Sequence, residues 1–201
     1  MTILSNLVTL NDQTQAALER ARGWQLKKYF KDIGEFSRDK YPKHIAFFDA
    51  GATYRERLML AANRVGKTES VGLYEIVMHA LGRYPKWWRG RRCEQPVKVW
   101  ICGDTKQTVR EILQEKLLGP LSDVGTGVLP RESIYRIVKG VGVADSVEIV
   151  YVKHKNGLSQ LTFKSYDQGR KAFQGTEQDI ILLDEEPPLA VYTECLLLPL
   201  S

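Results

Sequence analysis

Residues 58–70 read LMLAANRVGKTES, and the types and order of these residues could hold phosphate. A phosphate-binding loop needs converging backbone N–H groups, a lysine that reaches the terminal phosphates and a hydroxyl for magnesium. Gly66 allows close backbone approach, Lys67 brings the charge and Thr68 the hydroxyl. Ala61 stands where the strict G-x-x-x-x-G-K-[ST] pattern has its first glycine. The loop residues Ala62, Asn63, Arg64, Val65, Gly66, Lys67 and Thr68 are the candidate nucleotide ligands. A helix starting at Lys67–Thr68 would also aim its N-terminal dipole at the phosphates.

A second stretch, DIILLDEEPP (179–188), is an apolar run that ends in acids. Such a strand end holds magnesium through its aspartate, here Asp184 with Thr68, and positions an attacking water through the next carboxylate, Glu185. Two half-motifs in this order point to a site for ATP and Mg2+. A third stretch, GRYPKWWRGRR (82–92), interleaves Arg83, Lys86, Arg89, Arg91 and Arg92 with Tyr84, Trp87 and Trp88. It reads either as a surface that tracks a nucleic-acid backbone and stacks on bases or as a tryptophan-anchored loop with solvated cations. Cys93, Cys102 and Cys195 are widely spaced without a CxxC, and His44, His79 and His154 are scattered, so structural thiols are expected rather than a zinc site.

The elements that must position these residues emerge from pattern. Residues 58–61 are the strand candidate entering the loop, and 68–81 the helix leaving it, stopped by Gly82 and Pro85. VKVWICG (97–103) has strand composition, and 105–119 reads as a helix closed by Gly119-Pro120. Runs 147–154 and 158–164 flank Asn156-Gly157, a strong hairpin signal. Residues 9–33 carry helical spacing in Leu10, Ala17, Ala21 and Trp24, continued by Leu26, Tyr29 and Phe30. IAFFDAGA is a further apolar segment. Strands alternating with helices predict an α/β fold with a mostly parallel sheet, helices on both faces and one β-hairpin; taken with the phosphate loop and the acidic strand end, it resembles the P-loop NTPase type (RecA-like). Residues 1–43 are expected to form an N-terminal helical region and 44–201 the nucleotide-binding domain.

The bulk composition agrees. A chain of 201 residues at 43% hydrophobic and 26% charged suits one domain with a real core. No run approaches the roughly 18 apolar residues of a membrane span, and the first residues show no signal-peptide pattern, so a cytoplasmic protein without a membrane partner is expected. The net charge of +5 is uneven: residues 1–100 hold 18 Lys/Arg against 10 Asp/Glu, residues 101–201 hold 11 against 14. A basic first half is compatible with a nucleotide or nucleic-acid partner.

From about residue 44 to 194 the sequence resembles the large terminase subunit of tailed bacteriophages, the motor that packages viral DNA. The resemblance rests on FFDAGATYRERLMLAANRVGKTES, GRYPKWWRGRR, VWICGDT and FKSYDQGRKAFQGTEQDIILLDEEPP. A degenerate first loop position and an Asp-Glu pair closing the Walker B strand are typical there. The resemblance implies Lys67 and Thr68 on the β/γ phosphates and magnesium, Asp184 as the Walker B ligand and Glu185 as the general base. It also implies Arg64 acting on the γ-phosphate in cis, and adenine contacts from the region of Tyr54, Arg55 and Arg57. Gln174 and Gly175 match a stretch that lines the approach to the site. Implied partners are double-stranded DNA, the small terminase subunit and the portal of a procapsid, with the subunit acting in a homo-oligomeric ring. In such a ring Arg110 or Arg170 could reach a neighbour's site. Full-length members add a nuclease domain. Ser201 comes seventeen residues after Asp184, so a truncated ATPase portion is expected, with a non-hydrolysing nucleotide- or DNA-binding module and a helicase-like ATPase as the alternatives.

Overall fold

The computed structural model describes residues 26, 28–62 and 65–197. Five strands form one mixed sheet in the order β2-β3-β4-β1-β5. They are β1 (Lys98–Gly103), β2 (Ile134–Lys139), β3 (Val147–His154), β4 (Gly157–Ser165) and β5 (Ile180–Leu183). β1 runs parallel to β4 and β5, with Val99 opposite Leu161 on one side and Ile180 on the other. β2, β3 and β4 pair antiparallel, and Lys155-Asn156 turn the β3–β4 hairpin, one residue before the predicted Asn156-Gly157, so that Gly157 opens β4 at φ 145° opposite His154.

β1 is buried on both faces, as expected of a β-branched and aromatic run in mid-sheet. Val99 and Ile101 face the larger core. Trp100 and Cys102 face a smaller one with Tyr166, Phe173, Val191 and Cys195. The larger core also takes in an aromatic cluster, supplied in part by α1 (Pro42–Ala50). Two longer helical runs complete it. The first, α2, is a π-helical stretch Lys67–Leu73 continuing as Tyr74–Leu81. The other, α3, joins Lys106–Thr108, a π-helical Val109–Gln114 and Glu115–Leu118. From Val71 to Leu81 every residue of α2 is buried, because the sheet lies on one side and the aromatic cluster on the other. Gly72 lets it approach the sheet: a Cβ there would stand 2.9 Å from the Leu182 side chain. Phe30 and the 82–92 loop join α1 in the aromatic cluster. Phe30 meets Tyr74 at 4.9 Å between ring centroids and Trp88 meets Phe48 at 4.9 Å. α4 (Leu189–Leu197) covers the smaller core.

Two expectations are corrected, and one strand goes unpredicted. The sheet is mixed rather than mostly parallel: only the two ladders of β1 are parallel. β2 was not legible because it is an edge strand with two register irregularities and no clean alternation. Residues 58–61 are not a strand. A strand needs a hydrogen-bonding neighbour, and no described strand lies beyond β5, so Leu58 and Leu60 stay 80% and 86% exposed. Beyond the end of β5, Pro187-Pro188 leads into α4, where Val191 and Tyr192 N–H groups reach the Pro188 carbonyl.

The helix predicted over 9–33 lies mostly outside the described residues. Its last part is not helical: Phe30 takes φ 59° and its N–H donates to Phe36 O. Phe30 is buried in the core that holds Phe48 and Tyr74, so the described part of 1–43 packs against α1 and α2. In the 82–92 loop Trp88 is 3% exposed and donates its indole N–H to Arg91 O. Its indole therefore serves the core, and Arg83, Lys86, Arg89 and Arg91 stand exposed around it.

Candidate phosphate-binding site

The site lies at the carboxyl ends of β1 and β5, where ligands of open α/β sheets bind. Gly66 takes φ 83°, a left-handed conformation that turns the loop into the helix. A Cβ there would sit 2.4 Å from Ser70 Oγ, while Ser70 donates to Gly66 O from both its N–H and its hydroxyl, each at 2.8 Å. Gly66 is thus required by backbone angle and by space. A cavity of about 380 Å³ opens beside it, lined by Gly66, Lys67 and Thr68, by Gly103 and Asp104 at the end of β1, by one face of α3, and by Asp184 and Glu185 after β5.

Thr68 and Asp184 meet directly, the hydroxyl donating to the carboxylate at 2.8 Å. The Asp184 N–H donates to Cys102 O at 2.9 Å, which continues the β1–β5 ladder into the site. Burial pushes the Asp184 carboxyl above its ordinary value, and the Glu185 charge adds to that. The Thr68 hydroxyl, Lys116 and Lys67 pull it back without cancelling the rise. A carboxyl raised in the folded state stabilises fully below its unfolded value, and that contribution is lost as pH rises through the folded value. Asp184→Asn is therefore expected to raise stability at neutral pH, with the gain vanishing at acid pH where the carboxyl is protonated. Urea unfolding of both forms at the two pH values measures it.

The structure brings together Gly66, Lys67, Thr68, Asp184 and Glu185. Ala62 and Val65 are exposed on the loop, and Asn63 and Arg64 lie outside the described residues. Tyr54 and Arg57 do not line the cavity. Tyr54 is exposed, and Arg57 Nη1 donates to Glu75 at 3.0 Å and to Phe47 O at 2.9 Å. Gln174 and Gly175 are exposed just after the fully buried Phe173. Arg110 donates to Glu111 and Ala144 O, and Arg170 pairs with the buried Glu194 at 2.5 Å.

Sequence reasoning missed Lys116. It falls three residues after Leu113 and seven after Val109, so all three share a face of α3 turned to the cavity. A lysine on an otherwise apolar stripe was the available signal. Neither the Lys67 nor the Lys116 ammonium makes a hydrogen bond or ion pair with a described residue. Two ammonium groups, a hydroxyl and loop N–H groups, with two carboxylates, can hold a polyanion together with a divalent cation.

The fold and the site together define an α/β protein whose mixed sheet carries, at its strand ends, a cavity lined by lysine, threonine and carboxylate residues. Comparison with known proteins places the chain more closely. Residues 58–199 match the family described as terminase large subunit, T4likevirus-type, N-terminal. The chain is 36% identical over 175 residues to the terminase large subunit of Salmonella phage P22, a match covering 77% of this chain and 35% of that protein. It therefore belongs to the terminase large subunit family, and it spans about a third of the length of the curated relative it matches. No solved structure matches it.

Proposed function

We propose that this chain is the ATPase part of a phage packaging motor, of the P-loop NTPase type, which hydrolyses ATP to drive double-stranded DNA into a procapsid. The observation that carries the reading is the pairing of Thr68 Oγ1 with Asp184 Oδ1 at 2.8 Å, beside Lys67 and Glu185. In this reading 62–68 is a Walker A loop and 180–184 the Walker B strand. A hydroxyl and a carboxylate oxygen side by side are hard ligands, so Thr68 and Asp184 would suit Mg2+. The bound ion would neutralise charge on the phosphates. Lys67 would contact the β/γ phosphates, Glu185 would orient the attacking water, and Arg64 would act on the γ-phosphate. Double-stranded DNA, the small subunit and the portal are the proposed partners, in the host cytoplasm.

Nucleotide binding tests it. With Mg2+ present, wild type is expected to bind an ATP analogue, and Lys67→Ala to weaken it on the order of 100-fold, the loss of charge-assisted hydrogen bonds worth about 1.5–3 kcal/mol. Equal binding by both forms would sink the assignment. One observation favours a second reading, a module that binds nucleotide with little turnover of its own: residues 58–61, which lead into the loop, are not held in the sheet. ATP turnover with and without duplex DNA separates the two.

A further inference from the structure

A strand alternates its side chains, so the consecutive residues Asp184 and Glu185 would face opposite sides of the sheet if the chain stayed extended. Both line the same cavity. The cause lies at Glu185, whose φ is 63°. A glutamate rarely takes this left-handed conformation, and it persists only where its surroundings fix it.

A phenol lies against this turn. Tyr166 comes directly after β4 and is 4% exposed, with its ring against Phe173. Its hydroxyl lies 3.0 Å from Asp184 O and 3.4 Å from Glu185 O, so one phenolic proton is shared between two successive carbonyls. An extended chain sends successive carbonyls in opposite directions, and the left-handed turn brings these two to one point. The hydroxyl is itself held in place. The next residue, Asp167, donates its N–H to Asp104 O at 3.2 Å, and Ser165 and Gln168 form a capping box around the turn. Burial raises the Tyr166 phenol well above its ordinary value, so it stays a donor throughout the working pH range.

We infer that Tyr166 is a positioning residue: its hydroxyl clamps the Asp184 and Glu185 carbonyls and so turns the second carboxylate into the cavity beside the first. The inference deepens the proposed ATPase reading and rests on it for its kinetic consequence, though not for its geometry.

The test is Tyr166→Phe in the full chain, which keeps the ring and removes the hydroxyl. In labelled protein the HN–Hα coupling and Cα shift of Glu185 report its φ. Wild type is expected to give left-handed values and Tyr166→Phe to lose them while β1 amides stay in place. Unchanged Glu185 values in the variant overturn the proposal. Turnover adds a second readout: Tyr166→Phe is expected to lower kcat roughly tenfold at unchanged KM and to cost nothing further in the Glu185→Gln background. A loss that adds in full there overturns the clamp. A third variant guards against misfolding. Glu185→Gly takes the left-handed conformation without penalty and is expected to raise Tm, whereas an unchanged or lower Tm removes the strained turn. Loss of nucleotide binding in wild type would sink the ATPase reading and leave the Glu185 coupling to decide the clamp.

Discussion

Glu185→Gln is expected to lower ATP turnover by about 10²–10⁴-fold, the range for losing a positioned general base, while nucleotide affinity stays near wild type. The two effects separate because of where the residues stand. In the proposed reading binding falls to the loop, to Lys67 and to Thr68, whose hydroxyl meets Asp184 in the cavity. Glu185 is exposed at the rim and makes no side-chain hydrogen bond with a described residue. The glutamine keeps the size of the side chain and loses only its capacity to take a proton. Steady-state turnover alongside titration with a fluorescent ATP analogue measures both quantities. Equal losses in the two would move Glu185 from the chemistry to the binding of the nucleotide.

Arg57→Ala is expected to destabilise the fold by about 3 kcal/mol, the lower end of the cost of stranding one partner of a buried ion pair. Glu75 is 6% exposed and sits on the buried second half of α2. Its charge is met by Arg57 at 3.0 Å and by His79, whose Nε2 lies 3.5 Å away. Tyr84 completes the chain of contacts, its hydroxyl 2.9 Å from His79 Nδ1 and accepting the Cys93 N–H at 2.7 Å. Arg57 also lies 4.6 Å over the Phe47 ring, so truncation loses packing as well as charge. Urea unfolding of Arg57→Ala, Glu75→Gln and the double variant gives the pair energy, with the double variant expected to recover part of the loss. An affinity loss at unchanged stability would instead return Arg57 to the adenine contact implied by the family resemblance.

Much of the site was legible because its parts are local. Gly66-Lys67-Thr68 announces a loop, and ILLDE announces a strand that ends in carboxylates. The hairpin was legible for the same reason, since its turn is two residues long and ends at Asn156, beside the Gly157 that opens β4. What was not legible depends on partners far along the chain. Residues 58–61 have strand composition, but composition cannot supply a neighbour to pair with. Trp88 sits among arginines and looks like a surface residue until Phe48 and Tyr84 are packed against it. Tyr166 acts on a carbonyl eighteen residues away through a hydroxyl that no motif marks. Arg57 likewise reads as surface charge until α2 brings Glu75 to it.

The contact between Thr68 and Asp184 spans 116 residues of sequence. At synthesis rates of about 5–20 residues per second, the loop leaves the ribosome on the order of 10 s before its acidic partner exists. Nothing in the loop alone closes the site, because the Asp184 backbone is held by Cys102 and Tyr166, which must already be in register. Closure of so long a loop is entropically slow, and it is rewarded only when β5 joins β1. The cavity therefore cannot close before β5 has joined β1, and occupancy by a ligand that bridges its two halves would report that this pairing is in place.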